Sequence, residues 1–230
     1  MSTRTKLETM LGVVLTVATA AVAVVVVEQR FFPYSRRDGE TRIEKLSDWE
    51  DRARNVRASI NGVGGSVQVD IFTDFECPFC RRLDSVLRVF DSANPGKLAL
   101  SVIHFPLPMH ANARKAAIAF ECAARLGHAR EMSAGLFEAR NLSTVDYDSL
   151  SQAKGLSNFS AFSSCIADSS RVMDKINSGF ALANQLELRS TPTVVVDGAL
   201  IDPATPSAVI RAIEKSLDGR SSRSPSGGRQ

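Results

Sequence analysis

The stretch Phe72-Thr73-Asp74-Phe75-Glu76-Cys77-Pro78-Phe79-Cys80-Arg81-Arg82 decides how this chain is read. An apolar run with Val67, Val69, Ile71 and Phe72 leads into it, and Leu83, Val86, Leu87, Val89 and Phe90 follow at helical spacing. The pattern predicts a strand, a tight turn, and a helix that opens on a cysteine. Pro78 suits a first helical position, because its fixed φ fits there and its missing N–H is no loss. Cys77 is then the N-cap, facing unpaired N–H groups and the positive end of the helix dipole. That setting favours thiolate over thiol and makes the sulfur a nucleophile. Cys77 is accordingly expected to be the more exposed and more acidic thiol. Cys80 lies one turn on, close enough to form a disulfide with it.

The spacing alone admits three readings: a redox dithiol, half of a zinc site, or a structural disulfide. Zinc needs two further ligands in a close-spaced pair. Cys122 and Cys165 are far apart in sequence, and no His lies three to five residues from another. The spacing therefore favours the redox dithiol, with no metal and no cofactor beyond the Cys77–Cys80 disulfide itself. Cys122 and Cys165 are expected to form a second, structural disulfide, the alternative being two buried free thiols.

The chain has 230 residues, 44% of them hydrophobic, enough for one substantial domain with appendages. A net charge of +3 gives no reason to propose nucleic-acid binding. Residues 1–9 form a short N-terminus, with Arg4 and Lys6, that is assigned to the cytoplasm. Met10 to Val27 is apolar apart from Thr16 and Thr19. As a helix it would be about 27 Å long, close to the hydrocarbon thickness of a bilayer. Ala21-Val22-Ala23 offers a signal-peptidase site, but Val24 to Val27 carry the apolar run past it. The reading is an uncleaved single-pass signal anchor in the cell membrane. The catalytic domain then lies on the extracytoplasmic side, where four cysteines can persist as two disulfides.

Residues 28–58 read as a charged linker, in which Ser47-Asp48-Trp49-Glu50 predicts a capping box and a short helix from about Asp48 to Arg54. A single α/β domain is expected over 59–218. It comprises a strand Ser66 to Thr73, the cysteine helix, a strand Leu98 to Phe105, and a helical insertion over about 108–188. Thr193 to Val196, an Asp197-Gly198 hairpin turn and a return strand follow. A last helix is capped by Thr205 and runs to about Leu217. Residues 219–230 read as a disordered tail.

This order of elements resembles the thioredoxin fold with a helical insertion, and more closely the DsbA-like thiol–disulfide oxidoreductases. The resemblance rests on Asp74 to Cys80, His104-Phe105-Pro106-Leu107, the Ala-rich segment through Cys122, and Thr191-Pro192-Thr193 before Asp197-Gly198. It implies Cys77 as attacking cysteine, Cys80 as resolving partner and Pro192 as a cis-proline beside them. Thr191, Pro192, Pro78 and Phe79 are the implied substrate-binding residues, with substrate adding as a short strand along Thr191. Exported proteins with cysteines are the implied substrates, and a membrane redox partner would reoxidise the enzyme. Oxidase is the expected direction; reductase, isomerase, or a chaperone-like binding protein without turnover are the alternatives.

Two departures matter. Many relatives bury an acid six residues before the first cysteine to move protons, and here that position is Ile71. Water or Glu76 is left to serve. The dipeptide is Pro-Phe, without the His of strongly oxidising relatives, which argues against assuming an extreme potential. His104 and His110 read by default as packed or surface imidazoles, Arg81-Arg82 as a helper of the thiolate or a solvated face.

Overall fold

The computed structural model describes residues 41–61 and 67–221. The expected span Met10 to Val27, its flanks and the tail beyond residue 221 lie outside the described residues. Among the described residues no helix is long and apolar enough to cross a membrane.

In chain order the elements are β1 (Arg42–Lys45), α1 (Trp49–Ala53), β2 (Ala58–Ser59), β3 (Val67–Thr73), α2 (Pro78–Ala93) and β4 (Leu98–His104). Then come α3 (Ala113–Ala124), α4 (Ala129–Glu138), a 3-10 turn (Leu142–Thr144), α5 (Tyr147–Ala153), α6 (Phe159–Ala167) and α7 (Ser170–Gln185). β5 (Thr193–Val196), β6 (Ala199–Asp202) and α8 (Pro206–Ser221) close the chain. The strands form one six-stranded sheet in the order β1-β6-β5-β3-β4-β2. β3 and β4 are parallel, while β5 is antiparallel to β3, and the two edge strands are antiparallel to their neighbours.

Alternation along β3 sorts its side chains between two layers. Val67, Val69 and Ile71 pack with Leu83 and Leu87 of α2 and with Val209 and Ile213 of α8. Phe72 turns to the other face, with Trp49, Ile103, Leu182 and Val195. Helices on both faces explain why β3 and β5 are buried at nearly every position. The helical insertion builds a third cluster around Phe120, Met132, Leu136 and Phe162, and this cluster includes Phe75, Cys77 and Cys80. The cysteine turn therefore sits at the seam between sheet and insertion.

The sheet begins earlier than the sequence suggests. Residues read as linker include β1, which pairs with β6 in register Arg42↔Asp202 to Lys45↔Ala199. All four of its side chains are exposed, so backbone pairing holds it at the edge and no hydrophobic period announces it. The capping box does not form. The residue preceding α1 is Asp48, at φ 52°, with no side-chain cap. Trp49 instead turns into the core, where its indole N–H donates to Asp70 at 2.7 Å. Within the insertion, the 3-10 turn Leu142–Thr144 is separate from α5, whose cap Asp146 accepts from the Asp148 N–H. Asp197 and Gly198 both adopt positive φ, 46° and 76°, as a two-residue hairpin of this type requires. Thr205 Oγ1 accepts from the Ala208 N–H, and α8 runs on through Gly219 to Ser221.

Candidate active site

Cys77 is the residue before α2, with extended φ/ψ of −73° and 122°, and Pro78 takes the first turn. The Cys77 N–H donates back to the Asp74 carbonyl at 3.1 Å, which closes the strand-to-helix turn. Both cysteines are free thiols in this structure. The expected contrast in exposure is not found: Cys77 is 4% exposed and Cys80 2%, because Phe75 and the insertion wall them in. Pro78 and Phe79 are the exposed residues of the motif, Phe79 at 61%.

The two sulfurs differ in acidity. The Cys80 thiol donating to its sulfur lowers the Cys77 pKa to about 5, against burial and with help from Thr191 and the N–H groups of Cys80 and Phe79. Burial, reinforced by the neighbouring Cys77 sulfur, pushes Cys80 well above its ordinary value. This is the distribution expected of a nucleophile at a helix N-terminus and a buried partner one turn later.

Thr191 and Pro192 meet this turn from the other side. The Thr191–Pro192 peptide is cis. The Thr191 carbonyl is not free, since it accepts from the Cys77 S–H at 3.3 Å. The Thr191 hydroxyl is buried beside both sulfurs and has no partner while they are thiols. It is placed to donate to whichever sulfur becomes a thiolate.

Ile71 lies in the aliphatic layer with Leu83, Leu87 and Val194, so no acid occupies that position. Asp70 faces the opposite layer and is held by Trp49, Arg57 and Gln68. Glu76 does not reach toward Cys80. Its carboxylate accepts from the Asn112 N–H at 2.8 Å and the Asn112 side chain at 3.0 Å. Burial would raise the Glu76 pKa, but the Asn112 bonds and the charge of His110 outweigh it and hold the carboxyl low.

The two histidines separate. His104 is buried, with Nε2 2.8 Å from Glu121, and Glu121 also faces Lys175 at 3.4 Å. The expectation of a packed imidazole describes it. His110 stands beside the cysteine turn, with Nδ1 2.7 Å from Asp74 Oδ2. Asp74 is buried and also accepts from the Glu76 N–H and the Leu107 N–H, both at 2.8 Å. Sequence reasoning assigned Asp74 no role. An acid in an otherwise apolar strand end, three residues before a cysteine, is the signal that could have found it. Arg81 is half-buried and donates to the Ala139 carbonyl at 2.8 Å, while Arg82 lies on the exposed face of α2. Cys122 and Cys165 are disulfide-bonded, with Cα atoms 5.7 Å apart, and join α3 to α6. Among the described residues no three His, Cys, Asp or Glu side chains converge as a metal site would need.

Comparison with known proteins bears on the family and the fold. The family model described as Thioredoxin matches residues 64–215. A Na(+)/H(+) antiporter NhaA 1 of Mycolicibacterium gilvum is 31% identical over 146 residues, 62% of this chain and 24% of that protein. The same-named protein of Mycolicibacterium vanbaalenii matches to the same extent, so the chain spans about a quarter of the length of these curated relatives. A thioredoxin-like oxidoreductase from Silicibacter pomeroyi superposes with a TM-score of 0.62 at 21% identity, covering 75% of this chain and 99% of that one. BdbD from Bacillus subtilis, in oxidised form, gives 0.60 at 17% identity, covering 79% and 100%. DsbA2 from Pseudomonas aeruginosa gives 0.54 at 22%, covering 69% and 92%. At these identities the likeness to the solved structures is one of fold.

Proposed function

As the chain belongs to the thioredoxin family, we propose that it is a thiol–disulfide oxidoreductase in which Cys77 and Cys80 exchange a disulfide with cysteines of exported proteins. The observation that carries this reading is a pair of free cysteines one helical turn apart at the N-terminus of α2, with the cis Thr191–Pro192 peptide set against Cys77. In the oxidising direction a substrate thiolate attacks Cys77 Sγ of the Cys77–Cys80 disulfide. A substrate–Cys77 bond forms, the intramolecular bond breaks, and Cys80 leaves and takes up a proton. A second substrate thiolate then attacks its own sulfur in the mixed disulfide and releases Cys77 as a thiolate. The substrate has lost two electrons and two protons. One proton is on Cys80 and the other in water, which serves because neither residue 71 nor Glu76 offers a base.

Oxidase is the proposed direction. A thiolate stabilised at Cys77 favours the reduced enzyme and therefore makes its disulfide an oxidant. The same stabilisation makes Cys77 a good leaving group. Once Cys77 is a thiolate or a disulfide it no longer donates to the Thr191 carbonyl. That carbonyl is then available to an N–H of an extended substrate, beside exposed Pro78 and Phe79. A quinone-linked membrane disulfide would restore the oxidised enzyme. We place the domain on the extracytoplasmic side of a single-pass anchor. The support is the apolar run Met10 to Val27 and the second disulfide.

Equilibration with glutathione and refolding of a reduced test protein examine the function. A potential more oxidising than about −200 mV with stoichiometric disulfide transfer is expected. A potential near that of a reductase, about −270 mV, would reverse the direction. Binding without any disulfide transfer would replace the enzyme by a binding protein. Retention of the full-length protein in alkali-washed membranes, with the domain open to external protease, tests the location.

A further inference from the structure

The turn that carries Cys77 is tied to the loop entering α3 by two carboxylates. Glu76 holds Asn112, as described above. Asp74 holds Leu107 and His110, and its carboxylate is buried while the His110 side chain is 22% exposed. Asp74 is also inside the turn, because Oδ1 accepts from Glu76 N–H and its carbonyl accepts from Cys77 N–H. A buried carboxylate keeps its place only while donors surround it. Remove the imidazole, and Oδ2 retains the Leu107 N–H alone and opens toward water. The displacement passes directly to Glu76 and Cys77, whose backbone the same residue holds. The Cys77 sulfur depends on its distances to Thr191 and to the N–H groups of Phe79 and Cys80, and these change with the turn.

We propose that His110 is a positioning residue for Cys77: through Asp74 it sets the turn that presents the Cys77 sulfur to the N-terminus of α2. His110 touches no sulfur. The groups facing it are Asp74 and, through its charge, Glu76; Tyr147 of α5 lies beside Glu76 in turn. The groups facing Cys77 are Cys80 and Thr191. The role rests on the redox reading of the site, but it is a statement about the sulfur and can be tested without a protein substrate.

The test compares wild type, His110→Ala and His110→Asn, in reduced form, by pH-dependent thiolate absorbance and by the pH profile of Cys77 alkylation. Asn places an amide donor near the Nδ1 position. His110→Ala is expected to raise the Cys77 pKa by about 0.5 to 1, so alkylation at pH 4, below the titration, slows about 3- to 9-fold. His110→Asn is expected to restore both readings to within about two-fold, corresponding to a pKa within about 0.3 of wild type. Thermal unfolding is run on all three. If His110→Ala fails to fold, His110→Leu, which fills the site without a donor, takes its place against His110→Asn. Equal profiles in the donor-free variant and wild type overturn the role of His110 and leave the oxidoreductase reading standing. Failure of His110→Asn to restore the profile overturns it as well. Disulfide transfer is measured on the same samples. A shifted profile in the donor-free variant, together with a wild type that transfers no disulfide, supports the positioning role and removes the function.

Discussion

Cys77 shows how far a reaction can be argued from one sulfur. With its pKa held at about 5 by the Cys80 thiol, Thr191 and helix N–H groups, it is a thiolate at neutral pH. The alkylation rate of the reduced protein is expected to rise through pH 5 and level off by pH 7, with label on Cys77; preferential label on Cys80 would reverse the assignment. The linkage has a definite sign. A group depressed on folding stabilises fully above its unfolded value, near 9, and loses that contribution as pH falls through 5. The stability of reduced over oxidised protein should therefore grow between pH 5 and 9, measured by denaturant unfolding of both forms. Asp84 carries the opposite sign. Burial, with Glu138 nearby and Arg88 opposing, raises it from 3.8 to about 6. Its charge is a penalty on folding above pH 6 that vanishes below pH 4. Asp84→Asn should be more stable than wild type at pH 7 and level with it at pH 3.5; no gain at pH 7 would show that the Arg88 pair offsets the burial.

Within α2 the N-terminal half carries the chemistry and the following turns anchor it, with Leu83 and Leu87 buried against β3. The insertion has its own tie. Cys122 and Cys165 are separated by 43 positions, and closing a loop of that size contributes about 4 kcal/mol on the chain-entropy estimate. The double replacement Cys122→Ala with Cys165→Ala is expected to lower unfolding stability by about 2–4 kcal/mol while Cys77 keeps its acidity. A change in the Cys77 profile would mean that the insertion tensions the cysteine turn. The hairpin β5–β6 was legible because Asp-Gly is the chemistry of a two-residue turn with positive φ. β1 was not, since an exposed edge strand carries no apolar alternation.

Across the fold, the segment before β3 clasps the sheet through one buried acid. Asp70 accepts from Trp49 at 2.7 Å and from Arg57 at 2.7 and 2.6 Å, and Arg57 reaches on to Glu50 at 2.6 and 3.0 Å. Arg57→Leu leaves a fully buried carboxylate short of its charge partner, and should cost about 3 kcal/mol in chemical denaturation. A loss below about 1 kcal/mol would show that Trp49 and Gln68 suffice for Asp70.

The strand–turn–helix around the cysteines, the helical insertion and the closing hairpin were readable because each depends on neighbours within a few positions. Proline at a first helical turn, alternation in a strand and Asp-Gly at a turn act locally. The pairing of Cys77 with Cys80 followed from their spacing, that of Cys122 with Cys165 from apolar helical surroundings and the lack of another partner for either, and Pro192 beside Cys77 from the family resemblance. What sequence did not carry were contacts closed across long separations: β1 on β6, Trp49 and Arg57 on Asp70, His110 on Asp74, and Glu76 turned to Asn112 and away from Cys80. A buried polar side chain takes whichever donor the fold brings within about 3 Å, and no local pattern encodes that choice.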